Sequence, residues 1–402
     1  MNEVNNIPEG WLETTLGEIA LIIMGQSPSG ETCNQNDEGL PLLNGPTEFG
    51  EIHPFPIQYT IDPRKTSKIN DLLFCVRGST TGRMNWSNQV YAIGRGIATI
   101  RHKKGEDYRK FIKGIFDYNL QKLLAEATGS TFPNVSKNQL ENIEILLPPL
   151  PEQKSIAAIL TSFDNKIELL QAQNKTLEEL AQTLFKEWFG KYKVGDELPE
   201  GWRVGKLSDL VKKISKGTTP TKNDLYGLYG EIPFLKVKDI SNEGLILKNN
   251  LELIPRSVHE NQLKRSILET DDILFSIAGT IGRLAIVDFE MNNTNCNQAL
   301  AFIRLKDKYS FLEYIHLWLK SKENQDIINS NIVQGVQANV SLTVLGNLQL
   351  LIPNTDTINK WCNLIKPIYQ KLETNNTQIQ TLTKTRDALL PKLMSGEIRV
   401  KM

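Results

Sequence analysis

Ile7-Pro8-Glu9-Gly10-Trp11, followed by Leu16, returns as Leu198-Pro199-Glu200-Gly201-Trp202, followed by Leu207, at an offset of 191 residues. Working outward, Gly25-Gln26-Ser27-Pro28 returns as Gly217-Thr218-Thr219-Pro220, and Leu40-Pro41-Leu42-Leu43 as Ile232-Pro233-Phe234-Leu235. Asp71-Leu72-Leu73-Phe74 returns as Asp272-Ile273-Leu274-Phe275, each followed by a Gly-rich turn ending in Gly82-Arg83 or Gly282-Arg283. Asn134-Val135-Ser136 and Leu146-Leu147-Pro148 then match Asn339-Val340-Ser341 and Leu351-Ile352-Pro353 in the same order. The chain is therefore one module written twice, a pattern that predicts two related contacts with a partner.

Each copy closes on a long helix with an unbroken heptad seam. Ile156, Leu160, Phe163, Ile167, Leu170, Asn174, Leu177, Ala181, Leu184 and Trp188 alternate spacings of four and three. Trp361, Ile365, Ile368, Leu372, Asn375, Ile379, Leu382, Arg386, Leu389 and Leu393 do the same. Pairing the helices antiparallel, with Ile156 opposite Leu393 and Trp188 opposite Trp361, sets Asn174 against Asn375 and Arg386 against the ring of Phe163. A buried Asn is costly unless it meets a polar partner, so the coincidence of the two Asn predicts an intramolecular antiparallel coiled coil whose register they fix. Roughly 33 residues at about 1.5 Å each make a rod of about 50 Å, with a globular part expected at either end.

Length and composition bound the class. With 402 residues, 40% apolar and 23% charged, the chain has material for two ordinary cores. No apolar run approaches the roughly 20 residues of a membrane span, and Met1 to Asn6 lack the basic-then-apolar order of a signal peptide, so the expected location is cytoplasmic. Cys33, Cys75, Cys296 and Cys362 stand far apart without a CxxC, which indicates neither a zinc site nor a disulfide framework. Short β-branched and aromatic runs (Leu72 to Val76, Ile97 to Ile100, Ile232 to Val237, Ile273 to Ile277, Ala299 to Leu305) read as strands, with helices over Tyr108 to Ala127 and Phe311 to Asn329. That is an α+β domain in each half, and Gly190 to Pro199 reads as the linker.

Charge is zero overall but uneven. Asp71 to Lys110 carries eight Lys and Arg against three Asp and Glu, and Arg203 to Lys238 repeats those counts, whereas Pro151 to Gly190 has four Lys against six acids. Basic stretches inside the globular parts suit phosphate contact, and equally suit a solvated loop surface. Catalytic signatures are missing: there is no GxxxxGK[ST], no HExxH, no GxSxG and no Asn-Pro-Pro-aromatic run. His53, His102, His259 and His316 are scattered. The one ExK, Glu152-Gln153-Lys154, lies in a first helical turn, where an acid compensates the dipole.

Pro-Glu-Gly-Trp at the start of each half, Leu147-Pro148-Pro149-Leu150-Pro151-Glu152-Gln153-Lys154 with Ile156-Ala157-Ala158-Ile159-Leu160, and Leu389-Leu390-Pro391-Lys392-Leu393-Met394-Ser395-Gly396-Glu397-Ile398 resemble the specificity subunits of type I restriction-modification enzymes. The resemblance covers essentially the whole chain. It implies an α+β fold with two pseudo-twofold-related target-recognition domains (1–150, and 191–353 with its linker) joined by a central spacer helix (151–190) and a C-terminal one (354–402). It further implies that double-stranded DNA is read as a split target, one domain per half-site, and that the helices dock two methyltransferase (modification) subunits. Those subunits would bring S-adenosylmethionine and adenine methylation, and restriction/translocase subunits would bring ATP-dependent cleavage; the chain itself would have no cofactor, no metal and no catalytic residue. Asn354-Thr355-Asp356-Thr357 stands where the first copy has Pro149-Leu150-Pro151-Glu152, so the two helix starts differ.

Within the domains the expected DNA contacts are polar and basic residues on strand-flanking turns. They are Gln26, Ser27, Ser29, Arg77, Ser79, Thr80 and Arg83 in the first copy, and Lys216, Thr218, Thr219, Lys236, Lys238, Thr280 and Arg283 in the second. Arg reads guanine edges bidentately, while Ser, Thr and Gln bond adenine or phosphate. The same turns could exist for their glycine geometry alone. Arg77 aligns with Ala278, a difference expected of domains reading different half-sites. Two other functions remain open on sequence: a self-contained nuclease or methyltransferase, and a two-headed adaptor for proteins. Product formation with magnesium and S-adenosylmethionine separates the first, and a duplex shift in a gel argues against the second.

Overall fold

The computed structural model describes residues 7–50, 52–127, 133–225, 227–330 and 339–400, and at position 222 the backbone only. The opening Met1 to Asn6 read above lies outside the described residues. Contacts divide the chain into two compact units, Met1–Gln171 with Thr377–Met402, and Ala172–Asn376. The division falls inside both long helices, so each unit owns one globular α+β part and a portion of each helix.

In the first unit a four-stranded antiparallel sheet runs Ala20–Met24, Ile97–His102, Leu72–Cys75, Met84–Trp86. Its central strand is buried at every position because the sheet is covered on both faces. Leu72 and Phe74 point into a core shared with Phe111, Ile115 and Phe116 of helix Arg109–Ala125. Leu73 and Cys75 point the other way, onto Tyr91 and onto Leu43 and Ile93 of a second sheet ordered Cys33–Asn34, Gln58–Thr60, Leu40–Leu43, Ala92–Ile93. The period of two thus assigns alternate residues to two cores, each fully buried side chain contributing about 1.5–3 kcal/mol. Strand Leu12–Thr15 pairs with Glu144–Leu147 as a separate ribbon leading to the central helix.

The second unit repeats this plan on different residues. Val211–Lys216, Leu300–Leu305, Ile273–Ser276 and Leu284–Ile286 form the four-stranded sheet. Ile273, Phe275, Ala301 and Ile303 face a core with Tyr314, Ile315 and Leu319, while Leu274, Leu300 and Phe302 face Leu235 and Ile240. Glu252–Ile254, Ile232–Leu235 and Asn295–Cys296 make the smaller sheet, and Arg203–Lys206 pairs with Gln349–Ile352. The helix expected over Phe311 to Asn329 is two helices, Lys308–Lys320 and Lys322–Ser330. Ser321 is extended at the break, and Asn324 Nδ2 donates to Trp318 O (2.7 Å) and Ser321 Oγ (2.9 Å), which satisfies the groups freed there.

The central helix runs Leu150–Phe189 and the C-terminal helix Thr355–Met394. All twenty seam positions are buried or half-buried. In the first unit Ile156 and Leu160 share a core with Leu389, Leu393 and Met394. In the second, Trp188 lies 5.9 Å from Trp361, ring to ring, and Ala181 and Leu184 pack in the same core as Ile365 and Ile368. There too Asn375, fully buried, donates from Nδ2 to Asn174 Oδ1 at 2.9 Å, while Asn174 Nδ2 donates to Asn376 Oδ1 at 2.6 Å. Arg386 differs from expectation. Its guanidinium bonds Asp164 Oδ1 (2.8 Å) and Asp387 Oδ1, because directed bonds to a carboxylate satisfy a half-buried charge better than the ring of Phe163 would.

We propose that the Asn pair fixes the helix register. N375L should cost about 1–3 kcal/mol by leaving Asn174 Oδ1 without its donor, and N174L a similar amount. The double variant N174L/N375L should cost clearly less than the sum, because Leu on Leu is a satisfied layer. Urea unfolding of the four proteins gives the coupling; strict additivity would mean that the contact carries no register energy.

Glu152 stands in the first turn of the central helix, as the sequence predicts, and does more there than compensate the dipole. It is only 1% exposed, accepting from Trp11 Nε1 (2.9 Å), Arg399 Nε (2.8 Å) and Arg399 Nη2 (2.9 Å). The Arg399 guanidinium holds its carboxyl below the usual carboxylate range, against the opposing effect of burial. The two motifs thus meet in space: the Trp11 N–H and the Glu152 carboxylate close on each other across 141 residues, with Arg399 of the C-terminal segment on the same carboxylate. At the second helix start Asn354 Oδ1 instead caps Thr357 N (2.9 Å), and Asp356 lies in solvent paired to Lys360.

Candidate nucleic-acid interface

Gly217 and Gly25 decide the local shape. Gly217 N donates to Leu300 O (3.1 Å) and a Cβ there would stand 1.9 Å from Cys296 O; Gly25 N donates to Ile97 O (2.8 Å) and its Cβ would stand 2.1 Å from Gly94 O. Only glycine lets the strand end close on the turn beside it. Those turns are Asn297 to Leu300 and Gly94 to Ile97, each closed by its fourth N–H on its first carbonyl at 3.1 Å. Opposite lies the Gly-rich turn, bridged to the matched Asn triplet through Ala278 and Asn339 in the second unit and Arg77 and Asn134 in the first.

In the second unit these segments enclose an open concavity of about 790 Å³. Lys216, Lys236, Lys238, Thr280 and Arg283 line it with Asn297, Gln298 and Asn339, and among the described residues no carboxylate does. Lys236 has an ion pair with Glu252 beside it, whereas Lys216 and Lys238 have none among the described residues. A recess lined by cations and amides concentrates positive potential and offers both signs of hydrogen bond. Arg283 is part of the wall rather than a free head: its Nη1 donates to Val237 O (3.2 Å) and Ile240 O (2.8 Å), pinning the turn Val237–Asp239 that follows Lys236 and carries Lys238. Arg83 does the same in the first unit, on Phe49 O (3.0 Å) and Pro46 O (3.3 Å).

The remaining expected residues are dispersed more widely. Thr218 Oγ1 accepts from Arg265 Nη2 (2.9 Å), and Thr219 N donates to Gln298 Oε1 (3.1 Å). Ser27 Oγ accepts from Arg95 N (3.3 Å), next to Gln26, whose N–H is bonded to Ile93 O (2.8 Å) and whose side chain is exposed. Ser29 precedes a separate turn, Gly30–Thr32, and caps it by its carbonyl. Arg77 and Ser79 are exposed and Thr80 half-exposed on the Gly-rich turn, which is one residue longer in the first unit, since Phe74 pairs with Met84 but Phe275 with Leu284. The sequence reading missed Asn297, Gln298, Asn339 and Arg95. Asn339 was visible in a matched triplet; Arg95 and Gln298 differ between copies, so a search for identities passes over them.

Among the described residues no group of three or more His, Cys, Asp and Glu is placed to hold a metal. No described helix is long and apolar enough to cross a membrane. Duplicated α+β units, each with a turn-built face and one of these basic and concave, define the class of the molecule by its fold. Comparison with known proteins narrows it. The sequence model of the type I restriction modification DNA specificity domain matches residues 8–179 and again 199–384, so the chain belongs to that family and carries its domain twice. The type I restriction enzyme MjaIX specificity subunit of Methanocaldococcus jannaschii is 30% identical over 292 residues, 68% of this chain and 65% of that relative, just under two thirds of its length. The MjaVIII specificity subunit of the same organism is 25% identical over 421 residues, 98% and 94% of the two chains. A crystal structure of a type I restriction-modification S subunit from M. genitalium superposes with a TM-score of 0.57 at 17% identity, covering 100% of this chain and 99% of that one, which supports the fold.

Proposed function

We propose that this chain is the DNA-reading part of a type I restriction-modification complex, each unit presenting its turn-built face to one half of a split duplex target. The carrying observation is the recess of the second unit, with Lys216, Lys236 and Lys238 on its wall and no carboxylate among the described residues of its lining. Both units set this face at the same place in the same fold, yet the residues differ: Met24 and Asn44 align with Lys216 and Lys236, and Arg77 with Ala278. A common scaffold with unlike side chains fits two half-sites of unlike sequence. The two long helices serve as spacer and as the docking surface for two methyltransferase subunits, with restriction/translocase subunits completing the complex in the cytoplasm. Methyl transfer and cleavage belong to those partners, and this chain supplies the address.

K216A/K238A tests the reading. Neither lysine has a side-chain partner among the described residues, so their heads are placed to meet phosphates. In the complex with the methyltransferase subunits, the double variant should weaken binding about evenly across sequences and reduce the slope of log affinity against log salt by about 2. Fluorescence anisotropy on a cognate and a scrambled duplex at several salt concentrations measures both. An unchanged slope would remove this face from the interface.

A further inference from the structure

Arg95 and Gln298 occupy one position in two copies of the same turn. Four backbone hydrogen bonds repeat around it. Gly94 N donates to Leu43 O (2.8 Å) and Asn297 N to Leu235 O (2.9 Å); Ile97 N closes on Gly94 O and Leu300 N on Asn297 O, both at 3.1 Å. Val76 N donates to Gly96 O (2.9 Å) and Ile277 N to Ala299 O (2.8 Å), while Gly25 N and Gly217 N hold Ile97 O and Leu300 O. Three neighbouring segments thus grip the turn and leave its second residue projecting.

The two side chains are exposed and are prepared differently. Gln298 lies on the basic recess, and its Oε1 accepts from Thr219 N, which fixes which end of the amide is oxygen and leaves Nε2 outward. The guanidinium of Arg95 has no partner among the described residues, while its backbone N–H is tied to Ser27 Oγ. Side chains that read bases need a rigid base and a free polar edge, and both have them. Arg matches the O6 and N7 acceptors of guanine; Gln matches adenine, Nε2 donating to N7 and the second lone pair of Oε1 accepting from N6.

We propose that Arg95 and Gln298 are the matched base-reading residues of the two units, Arg95 selecting guanine in one half-site and Gln298 adenine in the other. The inference rests on the DNA-reading function proposed above. The test is selection from a randomised duplex library by the chain assembled with its methyltransferase subunits, comparing the unaltered protein with R95Q and Q298R.

R95Q should lose about 5- to 150-fold of the preference for guanine at a single base pair, with the rest of the target kept. Q298R should exchange adenine for guanine at one base pair of the other half-site. An enriched split sequence that both variants leave unchanged, or weaken evenly at every position as a phosphate contact would, overturns this inference while the DNA-reading function stands. If the unaltered complex enriches no sequence, the function itself is overturned.

Discussion

Asp71→Ala should lower the stability of the first unit by about 3 kcal/mol, a shift of about 6–12 °C in its melting temperature. Asp71 is 1% exposed at the head of the central strand and receives Arg101 through two bonds of 2.5 and 2.6 Å, with Thr99 Oγ1 and Lys68 N at 2.8 Å. Removing the carboxylate leaves a guanidinium whose side chain is 22% exposed, and two further donors, without their acceptor, which is far costlier than losing one hydrogen bond. The low end of the range for buried pairs applies because Arg101 keeps some solvent. Adding R101M to D71A should therefore cost little more, or recover part of the loss. Asp272 and Arg304 repeat the arrangement, with bonds of 2.7 and 2.8 Å, and D272A should act on the second unit independently. Calorimetry of D71A, D71A/R101M and D272A measures these shifts. A D71A protein melting within 2 °C of the parent would show that the pair does not hold the strand.

This pair also shows what sequence makes legible. The Asp-Leu-Leu-Phe and Asp-Ile-Leu-Phe matches mark the central strands because the acid caps the strand and the alternate residues fill two cores, so both roles restrict residue choice. The heptad seam is legible for the same reason: one geometry dictates twenty positions. The burial of Glu152 is not legible in its helix-start motif because its partner Arg399 stands 247 residues away, and no local pattern shows that distance folded to a hydrogen bond. Arg83 and Arg283 were legible as important but not as to purpose; their matched positions reflect a scaffold that needs its carbonyls held, whereas reading different bases requires residues that differ. Hence Arg95 and Gln298, invisible as a repeat, emerge only once the turns around them superpose by their hydrogen bonds.

The isolated chain should bind duplex DNA weakly, and addition of the methyltransferase subunits proposed above should tighten cognate binding by at least about 100-fold at physiological salt. Net charge is zero, so no long-range attraction draws the whole molecule to a polyanion. What attraction exists is local. In the second unit it comes from three lysines, one of them held by Glu252, on a recess open to water. Non-specific binding with dissociation constants of about 10⁻⁴ to 10⁻⁶ M is the range such a surface supports, against about 10⁻⁸ to 10⁻¹¹ M for typical specific complexes. On the function proposed above, contacts of the partner subunits around the duplex supply the difference. Titrating a labelled duplex carrying the methylated target of the host with the chain alone, then with the subunits, measures the gap. Nanomolar, sequence-specific binding by the chain alone would show that its two faces suffice, and would remove the partners from recognition while leaving them their chemistry.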